Sequence, residues 1–316
     1  MACALKGRPH LPRFLRVHRK SVIAPETGLA LCRLLFSAAA IVLYGAGCFF
    51  AFLAPLRLGR EISAAAGAGI RIAGVVSFAA SLSWLPVEAA VIGGGWPSAI
   101  DGPTLSALAF HTMIGTAWMV RVGLALLAAA LFIARPRAGR GQAMIAAALL
   151  ASLALSGHAE MNEGARRTLH ILNDGLHLLA GGFWLGSLIM LPACLARLRD
   201  PVLGGEARTA LRRFSQAGHV AVALVIATGI VNSALILGRW PDDPSSPYQS
   251  LLDVKIILVL AMTGLAVLNR YYFVPRLKTW HERAVAGIRT GTLVEIALGA
   301  GVLALVAVFG LIDPSG

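Results

Sequence analysis

Charge is scarce in this sequence: 14% of its 316 residues are Asp, Glu, Lys or Arg, against 57% hydrophobic. A water-exposed surface on a chain of this length needs far more, which excludes an ordinary soluble enzyme of one or two domains. Aromatic residues are also few, at 7%. With no stacking platform beside them, the basic residues behind the net charge of +13 do not describe a nucleic-acid surface. The cysteines Cys3, Cys32, Cys48 and Cys194 lie far apart and form no CxxC, so they signal neither a disulfide framework nor a zinc knuckle and read as packing residues. No Gly-rich phosphate loop ending in GK[ST] and no Asp-Lys-Thr-Gly site occurs, which removes ATP hydrolysis by this chain. HExxH and GxSxG are missing too, and with them the hydrolases built on those motifs. Any transport is then downhill, ion-coupled or driven by a partner.

What the chain has in abundance is apolar runs of about 20 residues, the length that crosses a hydrocarbon core of about 30 Å. They predict an all-α, polytopic transmembrane helical bundle of about eight helices, near 29–53, 70–92, 105–133, 142–158, 168–191, 216–238, 251–274 and 291–312. Residues 1–28, basic and broken by Pro9, Pro12 and Pro25, read as a tail, and 29–316 as a single membrane domain. Lys and Arg accumulate in the odd-numbered connections, including Arg57, Arg60 and Arg71, then Arg208, Arg212 and Arg213, which places those connections in the cytoplasm. Eight crossings then put both termini outside, in tension with the basic tail.

Ionisable residues inside a span are costly and by default mark a site or a buried pair. The fifth helix carries His170, Asp174 and His177 at i, i+4 and i+7, a spacing that aligns them on one face descending from the outer surface. Counted by helical rise, His111 and Met113 on the third helix reach the same depth, with Glu88 and Asn232 near it and His158 at the outer mouth. The inner half holds Arg121, His219, Asn269, Arg270 and Glu295, a more cationic set. Imidazole with carboxylate suits a divalent transition metal, and Asp174 is spaced to orient either neighbouring ring. Two other readings stay open: the same groups can pair to hold helices together, and His111 with His177 at equal depth can be axial ligands of a b-type haem. Under the metal reading, protons compete for the same histidines, so binding weakens as pH falls through their titration.

The segment Ser156-Gly157-His158, followed by His170-Ile-Leu-Asn-Asp174-Gly-Leu-His177 and Trp184-Leu-Gly186, resembles the copper resistance protein D family of bacterial inner-membrane proteins. Arg213-Phe214-Ser215, Thr228-Gly229, Tyr248 to Lys255, Asn269-Arg270 and Glu295 continue the resemblance, which is fullest over 168–312. In the first half it rests on His111-Thr112 through Trp118 and Arg121. The chain departs from the pattern at Ser246-Pro247-Tyr248-Gln249, where Gln stands in place of a Gly. The resemblance implies an inner-membrane protein of eight helices that handles copper ion, moves it from periplasm toward cytoplasm, and works with a periplasmic copper-binding partner of the CopC type. His158 and His170 are then expected as outer capture ligands, and His177, Asp174 and His111 as the intramembrane site, with Met113 and Glu88 ranked below them.

Overall fold

The first helix starts at a proline. Pro25 opens α1 (Pro25–Cys48), where its missing N–H costs nothing, and Glu26 follows in the positive first turn. The computed structural model describes residues 23–137, 139–156, 164–238, 246–277, 279, 281–310 and 312, so most of the basic tail lies outside them, while its last four residues belong to α1. A π-helical turn, Phe49–Leu53, carries α1 to Ala54-Pro55.

Most helices are longer than the apolar runs that predict them. α2 (Leu56–Ile92) begins at 56 rather than 70, because Leu56 to Ile70 is rich in Ala and holds no proline to stop a helix. Its 37 residues reach about 55 Å, well beyond a hydrocarbon core of about 30 Å. Arg57, Arg60 and Arg71 are therefore exposed on a helix, not in a loop. α8 (Gly204–Leu237) likewise starts before 216 and carries Arg208, Arg212 and Arg213 on its first turns. Glu206 in its opening turn accepts a hydrogen bond from the backbone N–H of Leu58 at 2.8 Å, so α2 and α8 begin on the same side of the bundle.

The third expected helix is two. α3 (Gly102–His111) and α4 (Met113–Ala134) meet at Thr112, whose backbone is extended. One hydroxyl serves both ends: Thr112 Oγ1 donates to Leu108 O at 2.6 Å and accepts from the Gly115 N–H at 3.0 Å. Gly115 is required here, since a Cβ would lie 2.1 Å from Ala109 O. Asp101 caps α3, and bonds from Thr104 hold its carboxyl below the usual carboxylate range.

Seven helices among the described residues are long and apolar enough to cross a membrane, where eight crossings were expected. The short one is α5 (Arg140–Ala151), which a 3₁₀ turn, Ser152–Leu155, extends to about 26 Å. It packs against α1, α4 and α6 and buries Ala143, Ala146, Leu149 and Leu150 on that face, while Met144 on the other stays exposed. The bundle continues with α6 (Gly164–Leu188), the short α7 (Leu191–Ala196), α8, and α9 (Pro247–Leu268). A second π-helical turn, Asn269–Phe273, leads to α10 (Val274–Arg276) and then α11 (His281–Phe309).

α1 is the axis of the packing, in contact with α2, α5, α6 and α11. It crosses α6 where Gly45 meets Gly186: a Cβ on Gly45 would lie 2.0 Å from the Gly186 carbonyl carbon, and one on Gly186 2.3 Å from Ile41 O. In lipid such close approach is a main source of helix association. α8 and α9 are peripheral, with only 17% and 11% of their apolar stretches buried against 56% for α1.

Candidate metal centre

The polar face of α6 packs on α8, and the side chains between them form one connected network. Asn173 Nδ2 donates to Thr228 O at 2.9 Å and to Asn232 Oδ1 at 2.7 Å. That fixes the Asn232 amide so that its Nδ2 donates to Asp174 Oδ1 at 3.0 Å. One turn deeper, His177 Nδ1 lies 2.9 Å from Thr228 Oγ1. The Thr228 hydroxyl has a single proton, and it is directed at Leu224 O, so toward His177 the oxygen accepts. The ring proton of neutral His177 is thereby assigned to Nδ1 and the lone pair to Nε2, the form in which imidazole ligates a metal. Gly229 stands beside this ring, where a Cβ would come within 3.5 Å of Cε1.

His170, one turn above Asp174, is buried, with 2% of its surface exposed. Asp174 lies within electrostatic range of His170, of the half-buried Lys255 on α9 and of Tyr248. Ser246-Pro247 opens α9 without a glycine, and Tyr248 and Gln249 are both buried where the family pattern changes. Asp174 and His177 both meet groups on α8, with His170 one turn above Asp174 on α6, while Asn173, Thr228 and Lys255 enter the sequence reading only through the resemblance and not as site candidates. The i, i+4 pair Thr228 and Asn232 on α8 is the signal that finds the facing half.

The other candidates lie elsewhere. His111 ends α3 and is exposed, and Met113 starts α4 with 57% of its surface exposed. α3 packs on α2 and α4, whereas α6 packs chiefly on α1 and α8, so His111 and His177 sit on helices with different neighbours. His158 lies outside the described residues. Among those described, no three His, Cys, Asp or Glu side chains gather as a metal would need.

Glu88 belongs to a second polar cluster, in the outer half. Its carboxylate accepts from Trp84 Nε1 at 3.2 Å and acts electrostatically on Arg33 and Arg121. Arg121, expected in the inner half, is 1% exposed, stacks 4.2 Å from the Trp84 ring centroid and donates to Ser156 Oγ and Ser152 O. Its level follows from the break at Thr112, which restarts the helix at Met113. Arg33 NH1 donates to Gly310 O at 2.6 Å. Glu88 is the carboxylate that offsets two intramembrane guanidiniums. Glu88→Gln is expected to cost about 1–3 kcal/mol, below a directly bonded buried pair, and to leave metal content unchanged. Thermal melting and metal analysis of one preparation check this; lost metal at an unchanged melting point returns Glu88 to the ligand set.

In the inner half, Glu295 is 2% exposed and accepts from Asn269 Nδ2 at 2.9 Å and from Trp184. His219 Nε2 lies 3.2 Å from the Tyr271 hydroxyl, and its Nδ1 faces Ser215 O.

The chain was compared with known proteins. The family model described as copper resistance protein D-like, N-terminal domain, matches residues 24–168, and copper resistance protein D matches 208–309. The stretch between them, which carries His170, Asp174 and His177, falls in neither. Inner membrane protein YebZ of Escherichia coli is 31% identical over 87% of this chain and 94% of its own length. Copper resistance protein D of Pseudomonas syringae is 33% identical over 69% of this chain and 74% of its own. Copper transport protein CutJ of Bacillus subtilis is 31% identical over 73% of this chain and 42% of its own. No solved structure matches.

Proposed function

The chain belongs to the copper resistance protein D family and is a multi-pass inner-membrane protein with a copper-related function, and from that premise we propose that it moves copper ion from periplasm to cytoplasm through the interface of α6 and α8. The observation that carries the reading is the His177 ring held through Nδ1 by Thr228, which leaves Nε2 as a ligand atom inside the membrane. Copper is the cargo. His170 receives it two turns nearer the periplasm, and His177 binds it next, with Asp174, oriented by Asn232, between them. Fewer than three strong ligands at one point among the described residues suits an ion that must leave again, since passage requires binding weak enough to release. A periplasmic copper-binding protein of the CopC type is the proposed donor, with His158, which precedes α6 in sequence, as first acceptor.

The test is metal content and visible absorption measured together on detergent-purified wild-type protein, followed by copper flux into vesicles of defined orientation. Copper retained without a Soret band, and flux from the periplasmic face, agree with the proposal. Stoichiometric haem without copper sinks it in favour of a membrane oxidoreductase, and bound copper with no flux leaves a metal-binding protein that does not transport.

A further inference from the structure

α8 packs on α6, and α9 packs on α11; where α8 and α9 part, at their cytoplasmic ends, lies a cavity of about 520 Å³. That is the size of a small-molecule site, usually about 300–1,000 Å³. Its walls are apolar, among them Leu188, Leu195, Val222 and Val267, and His219 and Tyr271 bridge the two sides. Arg208, Arg212 and Arg270 also line it. Arg208 has one long contact, 3.4 Å to Leu198 O, and Arg212 and Arg270 have no hydrogen-bond or ion-pair partner among the described residues. Glu295, the carboxylate of the lining, is already engaged by Asn269 and Trp184.

The charges stand at a definite level. The uncharged apolar run of α8 begins beyond Arg213, and that of α9 ends at Leu268, so Arg212 and Arg270 sit at the inner headgroup boundary, with the apolar walls toward the bilayer centre. A metal ion is disfavoured by three guanidiniums. A soluble anion satisfies the arginines and leaves the apolar walls bare.

We propose that this cavity binds an anionic phospholipid of the inner leaflet, its phosphate on Arg212 and Arg270 and one acyl chain among the apolar walls between α8 and α9. The inference is independent of the copper pathway. Basic pockets between membrane helices on the cytoplasmic side are suited to anionic headgroups, each Arg contributing on the order of 1 kcal/mol.

The experiment is native mass spectrometry of the full-length protein titrated with phosphatidylglycerol, with phosphatidylcholine of the same acyl chains, and with inorganic phosphate. Phosphatidylglycerol is expected to bind the tighter of the two lipids, and Arg212→Ala with Arg270→Ala to weaken it about 30-fold. Lys at both positions should retain the preference. Val222→Trp, which fills the cavity and keeps the arginines, should lose the lipid as well. Equal binding of the two lipids overturns the proposal, as does unchanged binding in the Val222→Trp protein. Phosphate that displaces phosphatidylglycerol at equal concentration assigns the arginines to a soluble anion and overturns it too. If the double Ala protein does not fold, the Lys and Trp variants decide the matter alone.

Discussion

Cells carrying the chain with His170 and His177 both changed to Ala are expected to accumulate no more copper than cells that lack it. His177 is the imidazole in the network that α6 forms with α8, whose other groups are amides, a hydroxyl and one carboxylate, and His170 lies one turn above Asp174 on the same helix. The single change Thr228→Val separates the ligand from its orientation. Valine keeps the shape and removes the oxygen that accepts from Nδ1, so the ring is no longer held in one tautomer. Loss of such a supporting group typically weakens metal binding about 10- to 100-fold. Thr228→Val should therefore bind copper measurably but weakly, and Thr228→Ser should restore it. Whole-cell copper and equilibrium binding to purified protein read the two effects separately. Wild-type accumulation in the double variant would falsify the path, and wild-type affinity in Thr228→Val would remove the tautomer argument while leaving the path standing.

Gly186→Val is expected to abolish stable protein. Overpacking a core usually costs about 1–3 kcal/mol, but there the intruding methyl groups can push side chains aside. At Gly186 the new Cβ meets the Ile41 carbonyl at 2.3 Å and the Gly45 Cα at 2.8 Å, so α1 itself must move. α1 also contacts α2, α5 and α11, and the displacement spreads through the bundle. Gly181→Ala is the control, because its Cβ meets only Val225 Cγ2 at 3.8 Å. Fluorescence-detected size exclusion after graded heating distinguishes them: a monodisperse Gly186→Val protein with a wild-type melting point shows that the crossing is not tight.

Helix existence was legible in the apolar runs; helix ends were not. Hydropathy marks where lipid stops, whereas α2 and α8 continue into water on Ala-rich and Arg-bearing turns that are good helix formers. The break at Thr112 was hidden for a related reason, since a Thr within an apolar stretch gives no warning that its hydroxyl will end one helix and begin another. The α6 face was legible because i, i+4 and i+7 belong to one helix and need no partner to interpret. His111, exposed at the end of α3, does not share that face. Depth is one coordinate of three, and residues level in the membrane can lie on different sides of a bundle. Gly186 near Trp184 lets α6 approach α1 closely, but its partner Gly45 lies far away in sequence, where spacing cannot reach it.

The proximity of Lys255 to Asp174 bears on the driving force. Asp174 and Lys255 are of opposite charge type and lie within electrostatic range of each other, so the pair, ionised together or neutral together, adds no net charge beside the path, and an arriving ion brings its own. Inward movement then draws directly on the interior-negative potential, worth about 2.3 kcal/mol per unit charge for each 100 mV crossed. Uncoupled inward transport along this path is electrogenic, and a divalent ion is drawn in twice as strongly as a monovalent one.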